Sequence, residues 1–66
     1  METSYYRFER YILENERWHL VRFSFGDARK KRMYIRFLTS NGYHYDRVRK
    51  SYINEFEDDQ LVIIKI

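Results

Sequence analysis

Apolar and polar residues alternate along the first third of the chain. Residues 4–13 and 18–25 are rich in aromatic and β-branched side chains, and in each run the apolar positions recur at a period of two. The four residues between these runs, 14–17, are all polar. Two alternating runs joined by a short polar connection predict an antiparallel β-hairpin, which Gly26 and Asp27 bring to an end.

After Asp27 the apolar pattern changes to the period of a helix. Asp27 is a favourable N-cap residue, and Gly42 stands where a glycine commonly follows a helix C-terminus. Between them lies one apolar stripe at helical spacing, formed by Met33, Tyr34, Phe37 and Leu38. The spacing therefore predicts a first helix of about 13 residues.

A second helix is predicted after a tight turn at residues 41–43. The apolar positions that follow have a spacing that no strand places on one face: Tyr45, Val48, Tyr52, Ile53 and Phe56. The alternative is a β-hairpin, because Asn41-Gly42 is typical of a type I′ turn. That hairpin would place Arg36 opposite Arg47, and like charges directly opposite are destabilising, so two helices are preferred over residues 28–53.

The last segment of the chain is predicted to be a strand. Residues 61–66 are mostly β-branched and apolar on both faces, which is typical of a strand that is central in a sheet or covered on each face. The predicted fold is a single α+β domain over residues 1–66 with the order β-β-α-α-β, a three-stranded antiparallel sheet with a helical pair on one face. The alternative is an all-β fold, a five-strand meander or small barrel. An uncovered apolar edge at Leu61–Ile66 would also allow a homodimer.

Composition excludes several classes of protein. The 66 residues contain no Cys, so disulfides and Cys-ligated zinc are excluded, and a chain this short has a small core. The longest uncharged apolar run, residues 61–64, is far too short to span a membrane, and residues 1–7 lack the pattern of a signal peptide. We therefore expect a cytoplasmic protein, in the host cytoplasm if it is viral.

The formal net charge of +3 conceals a strong segregation of charge along the chain. Residues 1–27 contain four basic and five acidic side chains, and residues 51–66 contain one basic and four acidic. Residues 28–50 contain eight basic side chains and one acidic. A local excess of positive charge of this kind is evidence about binding partners rather than about the fold.

This basic segment gives the candidate binding residues. The basic side chains are Arg29, Lys30, Lys31, Arg32, Arg36, Arg47, Arg49 and Lys50. On helices they would form an outer face that contacts the phosphates of nucleic acid. Three residues at the predicted turn are candidates for stacking on bases: Tyr43, His44 and Tyr45. The alternatives are an acidic protein surface as partner, or a basic face that is merely solvated.

Part of the segment resembles a known family. Residues 30–43, KKRMYIRFLTSNGY, followed by Asp46 and Val48, are similar to one helical repeat of the RecX regulatory proteins, which bind recombinase filaments. In such a repeat a basic helix ending in Phe-Leu precedes a Gly-aromatic turn and a second helix. The resemblance implies a second helix after Tyr43. It covers less than half of the chain, whereas that family has several repeats in tandem, and it implies no function.

Candidate chemistry is sparse. His19 belongs to a predicted strand and His44 to a turn, and neither has Cys, Asp or Glu neighbours at metal-ligand spacing. The acidic run 55–59 lacks the ligand pattern of a calcium loop, and two glycines are too few for a phosphate-binding loop. We therefore expect no enzyme activity, no cofactor and no metal.

Two functions follow as expectations. The first is a small non-enzymatic accessory or regulatory protein that binds DNA or RNA through the basic residues. The second is an inhibitor or adaptor, for example encoded by a phage or virus, that places an Arg- and Tyr-rich face on an acidic surface of a host protein. The second expectation rests on seven Tyr and nine Arg in so short a chain, because both residue types are frequent in binding hot spots.

Overall fold

A computed structural model describes residues 4–66. Its elements in chain order are β1 (Tyr5–Glu14), β2 (Arg17–Asp27), α1 (Ala28–Ser40), β3 (His44–Asp46), β4 (Ser51–Asn54) and β5 (Asp59–Lys65). The strands form one antiparallel sheet with the order β2-β1-β5-β4-β3. One helix therefore accompanies five strands.

The N-terminal hairpin predicted from alternation is present. β1 and β2 pair from Tyr5↔Asp27 to Glu14↔Arg17, so the connection shortens to Asn15 and Glu16. Both of these residues have positive φ angles, 53° and 64°, as a type I′ turn requires. The register shifts between Arg10 and Tyr11 and leaves one extra residue in β2, a β-bulge.

The predicted helix at residues 28–40 forms, and local signals set its ends. The Asp27 side chain accepts a hydrogen bond from the Lys30 amide (3.0 Å), as an N-cap does. After the helix, Gly42 has φ +85°, and the Tyr43 amide donates to the Leu38 carbonyl (3.0 Å). Leu38 is buried, and the Tyr34 ring stacks on the Phe8 ring with centroids 5.0 Å apart.

The predicted second helix, and with it the three-stranded sheet with a helical pair, is wrong. Residues 44–46 and 51–54 form the short strands β3 and β4 instead. Two members of the supposed apolar stripe, Val48 and Phe56, lie in turns and are 92% and 100% exposed. The strands bury Ile53 and place Tyr45 opposite Tyr52 as a cross-strand aromatic pair, and they need no contribution from Val48 or Phe56.

The all-β alternative is closer but also wrong, because residues 28–40 are helical. The second helix implied by the resemblance to RecX proteins is absent as well, since β3 begins at His44.

The strand predicted at the chain end lies in the middle of the sheet. β5 pairs with β1 from Asp59 to Lys65 and with β4 only from Asp59 to Leu61. An edge of β5 is therefore open only beyond Leu61, on the side of β4. The described residues bury four apolar side chains almost completely: Phe8, Leu38, Ile53 and Leu61.

Candidate nucleic-acid interface

A cleft of about 370 Å³ lies between α1 and the sheet. Its lining residues come from five separate parts of the chain: Tyr6, Lys31, Ile35, Tyr45, Lys50, Tyr52, Ile63 and Lys65. We call this the basic cleft. Of the described residues that line it, three are lysines, three are tyrosines and none is acidic.

The side of α1 that faces the basic cleft carries Lys31 and Ile35. These residues are four positions apart and so share one face of the helix. The ammonium of Lys31 lies 4.5 Å from the centroid of the Tyr6 ring, a cation–π distance. The contact holds the lysine at the junction between helix and sheet, with part of its surface exposed.

On the opposite side, the turn between β3 and β4 contributes Lys50. The carboxylate of Asp46 accepts hydrogen bonds from the amides of Val48 (2.8 Å) and Arg49 (3.1 Å). These bonds shape the turn, and they hold the pKa of Asp46 below its ordinary value, the Arg49 amide having the largest effect. The turn presents Arg47, Arg49 and Lys50 to solvent.

Two tyrosines form the aromatic wall of the basic cleft. Tyr45 and Tyr52 lie opposite each other in β3 and β4, with ring centroids 5.0 Å apart in an edge-to-face arrangement. Burial, and then the proximity of Tyr45, raise the pKa of Tyr52. Tyr45 is 51% exposed, so a large part of its ring is available for a ligand to stack on.

The sheet brings Lys65 to the same place. Lys65 pairs with Tyr6 of β1, and Ile63 pairs with Phe8, so both β5 residues are on the face covered by α1. Lys31, Lys50 and Lys65 thus come from a helix, a turn and a central strand. Three like charges that line one cleft without an acidic residue favour an anion there.

The structure unites only some of the candidate residues identified from the sequence. Lys31, Tyr45 and Lys50 line the basic cleft, and the exposed Arg47 and Arg49 lie in the turn beside it. Three further arginines are exposed on the outer side of the helix: Arg29, Arg32 and Arg36.

Three other candidates are placed elsewhere. The Lys30 ammonium donates to the Phe25 carbonyl (2.9 Å) and lies 5.4 Å from the Phe8 ring centroid. Tyr43 is no exposed stacking residue, because its hydroxyl donates to Asp59 (2.8 Å). His44 is exposed, but it precedes Tyr45 in β3 and so faces the opposite side of the sheet.

Sequence reasoning missed Tyr6, Tyr52 and Lys65 as parts of the site. Lys65 is the single basic residue of an acidic segment, so counting charge along the chain assigns it no role. Only the register of β5 with β1 places it beside Tyr6. Lys65 could have been assigned to the site only if the pairing of β5 with β1 had been predicted.

A second cleft, of about 330 Å³, lies at the other end of α1 around the buried Asp59. Arg10 donates to both carboxylate oxygens of Asp59, with distances of 2.7–3.2 Å. This pairing raises the pKa of Arg10. Burial and the hydrogen bond to Asp59 raise the pKa of Tyr43 to about 12. With Asp59 held by two partners, this cluster has a structural role.

Acidic residues gather at the opposite end of the sheet from the basic cleft. The turns at residues 15–16 and 55–58 are adjacent, since the Leu13 amide donates to the Asp58 carbonyl (2.9 Å). These turns and their flanks contain Glu14, Glu16, Glu55, Glu57 and Asp58. In a molecule 44 Å long, these five acidic side chains therefore lie at the end of the sheet away from the basic cleft.

Comparison with protein-family models, with curated proteins and with solved structures gives no match. Within residues 4–66 no helix is long and apolar enough to cross a membrane. The same part of the chain contains no group of three His, Cys, Asp or Glu side chains that could hold a metal ion. The functional argument therefore depends on the geometry and charge of the basic cleft.

Proposed function

We propose that this protein binds single-stranded nucleic acid through the basic cleft. The observation that carries the proposal is the convergence of Lys31, Lys50 and Lys65 on a cleft lined by three tyrosines, of which Tyr45 is exposed. Ammonium groups contact phosphates, and aromatic rings stack on unpaired bases, which is the combination used by proteins that bind single strands without sequence preference.

Positive charge continues on either side of the basic cleft. The exposed Arg47 and Arg49 lie beyond Lys50, and the outer arginines of α1 lie beyond Lys31. A strand whose base stacks on Tyr45 can therefore place neighbouring phosphates near guanidinium groups, which pair well with phosphate oxygens.

A single strand fits this arrangement better than a duplex. The tyrosine rings that favour binding lie in a cleft. The bases of a duplex are stacked inside the double helix, so they cannot enter this cleft, whereas the bases of a single strand can. The helix pair that could lie along a duplex groove is absent, since residues 44–54 are strands and turns.

The first prediction tests the lysines by fluorescence anisotropy with labelled oligo-dT and oligo-U. The variant K31Q/K50Q/K65Q is expected to lose about fivefold in affinity per lysine, and its salt slope is expected to fall by about two, since each phosphate contact contributes about 0.7. The control R17Q removes one exposed positive charge at the far end of the sheet and is expected to bind as the natural chain does.

The stacking contribution distinguishes nucleic acid from an acidic protein surface. Tyr45→Leu keeps every charge and is expected to weaken oligo-dT binding about tenfold, because base–ring stacking contributes about 1–3 kcal/mol. Binding of poly-glutamate should be unchanged in this variant. If poly-glutamate binds the natural chain more tightly than oligo-dT at equal charge, or if oligo-dT does not bind at low salt, the proposal is wrong.

A further inference from the structure

On the face of the sheet opposite α1, the part formed by β2, β1 and the end of β5 is apolar and exposed in the described residues, whereas Ile53 of β4 is buried. Register places Phe23 and Phe25 of β2 and Ile64 of β5 on this outer face, since their partners in β1 alternate with the buried Phe8. Phe23 and Phe25 are each 53% exposed, and Ile64 is 43% exposed. Tyr5 of β1 and Leu20 and Val21 at the bulge are also about half exposed.

The centre of the outer face is electrically neutral. Arg7 and Glu9 of β1 pair with each other at 2.8 Å, and the Arg7 guanidinium lies over the Phe23 ring, 4.5 Å from its centroid. Glu9 also accepts a hydrogen bond from the Tyr11 hydroxyl (3.1 Å), and its negative charge neutralises that of Arg7 within the face. A neutral apolar surface offers nothing to a polyanion and does not repel an identical surface.

We propose that a second copy of this chain covers the outer face, so that two sheets pack into a sandwich. The five half-exposed side chains that the register places on this face offer on the order of 500 Å² of apolar surface, a large part of the roughly 800 Å² per partner of a stable interface. A two-fold axis needs one patch that complements itself, and a neutral apolar patch can face its own copy without repulsion between like charges.

The size of the core favours a second copy as the occupant. Residues 4–66 bury only four apolar side chains almost completely, fewer than the outer face leaves half exposed. Small chains without disulfides commonly obtain the missing core by association. Sheets that pack face to face at about 10 Å would bury Phe23 and Phe25 from both copies.

The dimer leaves the proposed function intact and adds to it. The basic cleft lies on the α1 side of the sheet, so face-to-face packing places two basic clefts on opposite outer surfaces. Two clefts joined in one particle can hold two segments of one strand, which increases the apparent affinity for long oligonucleotides over short ones.

Sedimentation equilibrium of the full chain tests the dimer. At about 100 μM we expect twice the 8.4 kDa chain mass. The variant F23T/F25T, in which Thr suits a strand, is expected to have the single-chain mass. The control F56T changes a fully exposed apolar residue in a turn away from the basic cleft and should remain a dimer.

Two results would overturn the dimer. One is a single-chain mass for the natural protein, and the other is a dimer of F23T/F25T with an unchanged circular dichroism spectrum, which would indicate pairing elsewhere. If F23T/F25T does not fold, Ile64→Thr is measured instead. Its Kd for dimerisation is expected to be at least about tenfold higher than that of the natural chain. Binding of a short oligonucleotide should be unaffected in every folded variant, so failure of the dimer and failure of the proposed function are separate results.

Discussion

At the scale of single residues, a buried carboxylate joins three parts of the chain. Asp59 begins β5 and accepts hydrogen bonds from Arg10 of β1 and from Tyr43, which follows α1. Asp59 therefore links the end of the helix to the sheet. Removing one of its partners would leave a buried charge incompletely paired, which is destabilising. The sequence offered no sign of this, because Asp59 is the last residue of the acidic run 55–59, and nothing in that run distinguishes it from its neighbours.

The pKa of Tyr43 gives a prediction about pH. Burial and Asp59 raise it from 10.0 to about 12, so the native state keeps the phenol proton at a pH where the unfolded chain releases it. This contribution to the free energy of unfolding is complete below pH 10 and is lost as pH rises towards 12. Tyr43→Phe, which cannot ionise, is expected to be less stable at neutral pH by about 1 kcal/mol.

Urea unfolding at a series of pH values tests this. The difference in stability between the natural chain and Tyr43→Phe should shrink as pH rises through the window from 10 to 12. Tyr45→Phe is the control, since the Tyr45 hydroxyl makes no contact with Asp59. A constant difference for Tyr43→Phe across the window would contradict the assignment.

At the scale of elements, α1 is the part whose limits were predictable. Asp27 caps it, Gly42 follows it with positive φ, and Leu38 lies on its buried face. All three signals act within a few residues and need no knowledge of the sheet. Gly26 adds a constraint that only the packing shows, since a Cβ there would collide with the Lys30 side chain.

The cap of α1 carries the next prediction. Asp27→Ala removes the acceptor for the Lys30 amide and is expected to cost about 1 kcal/mol, measured by urea unfolding. Asp27→Asn keeps an oxygen at the same position and should cost little. Equal losses in the two variants would show that the charge of Asp27, rather than its hydrogen bond, stabilises the helix.

The strands β3 and β4 show why the second helix was predicted wrongly. They have three and four residues, too few for an alternating pattern to be recognised. Val48 and Phe56 completed a helical stripe by coincidence, although both are turn residues. Pairing with distant segments decides these strands: β4 pairs with β5, which brings Tyr52 beside Leu61, and β3 pairs with β4.

At the scale of the whole molecule, the separation of charge determines how salt acts. The acidic turns lie near the first residue of β5, and Lys65 is its last, about 20 Å away along the strand. Charges at that separation are largely screened at physiological ionic strength, where the Debye length is about 8 Å. The basic cleft therefore acts as a local positive site although the chain as a whole carries only +3.

This separation predicts unequal effects of equal changes in net charge. At about 0.15 M salt, E14Q/E55Q adds two units of charge at the acidic end and is expected to raise affinity for oligo-dT less than twofold. K50Q/K65Q removes two units at the basic cleft and is expected to lower it about 25-fold. Fluorescence anisotropy measures both. A similar change in the two variants would mean that net charge, not the cleft, controls binding.

The sequence by itself determined the elements whose signals are local. The alternation of residues 4–25, the cap at Asp27 and the β-branched run near the chain end each act over a few residues, and each element is present. The basic character of residues 28–50 was also visible, because charge needs no fold to be counted.

Only the tertiary structure decided the central place of β5, the two short strands and the basic cleft. Lys31 and Lys65 are far apart in the chain, and they line one cleft because β5 pairs with β1 while α1 covers that face. The physical reason is that strand order and register depend on backbone hydrogen bonds between distant segments, which periodicity and composition do not encode.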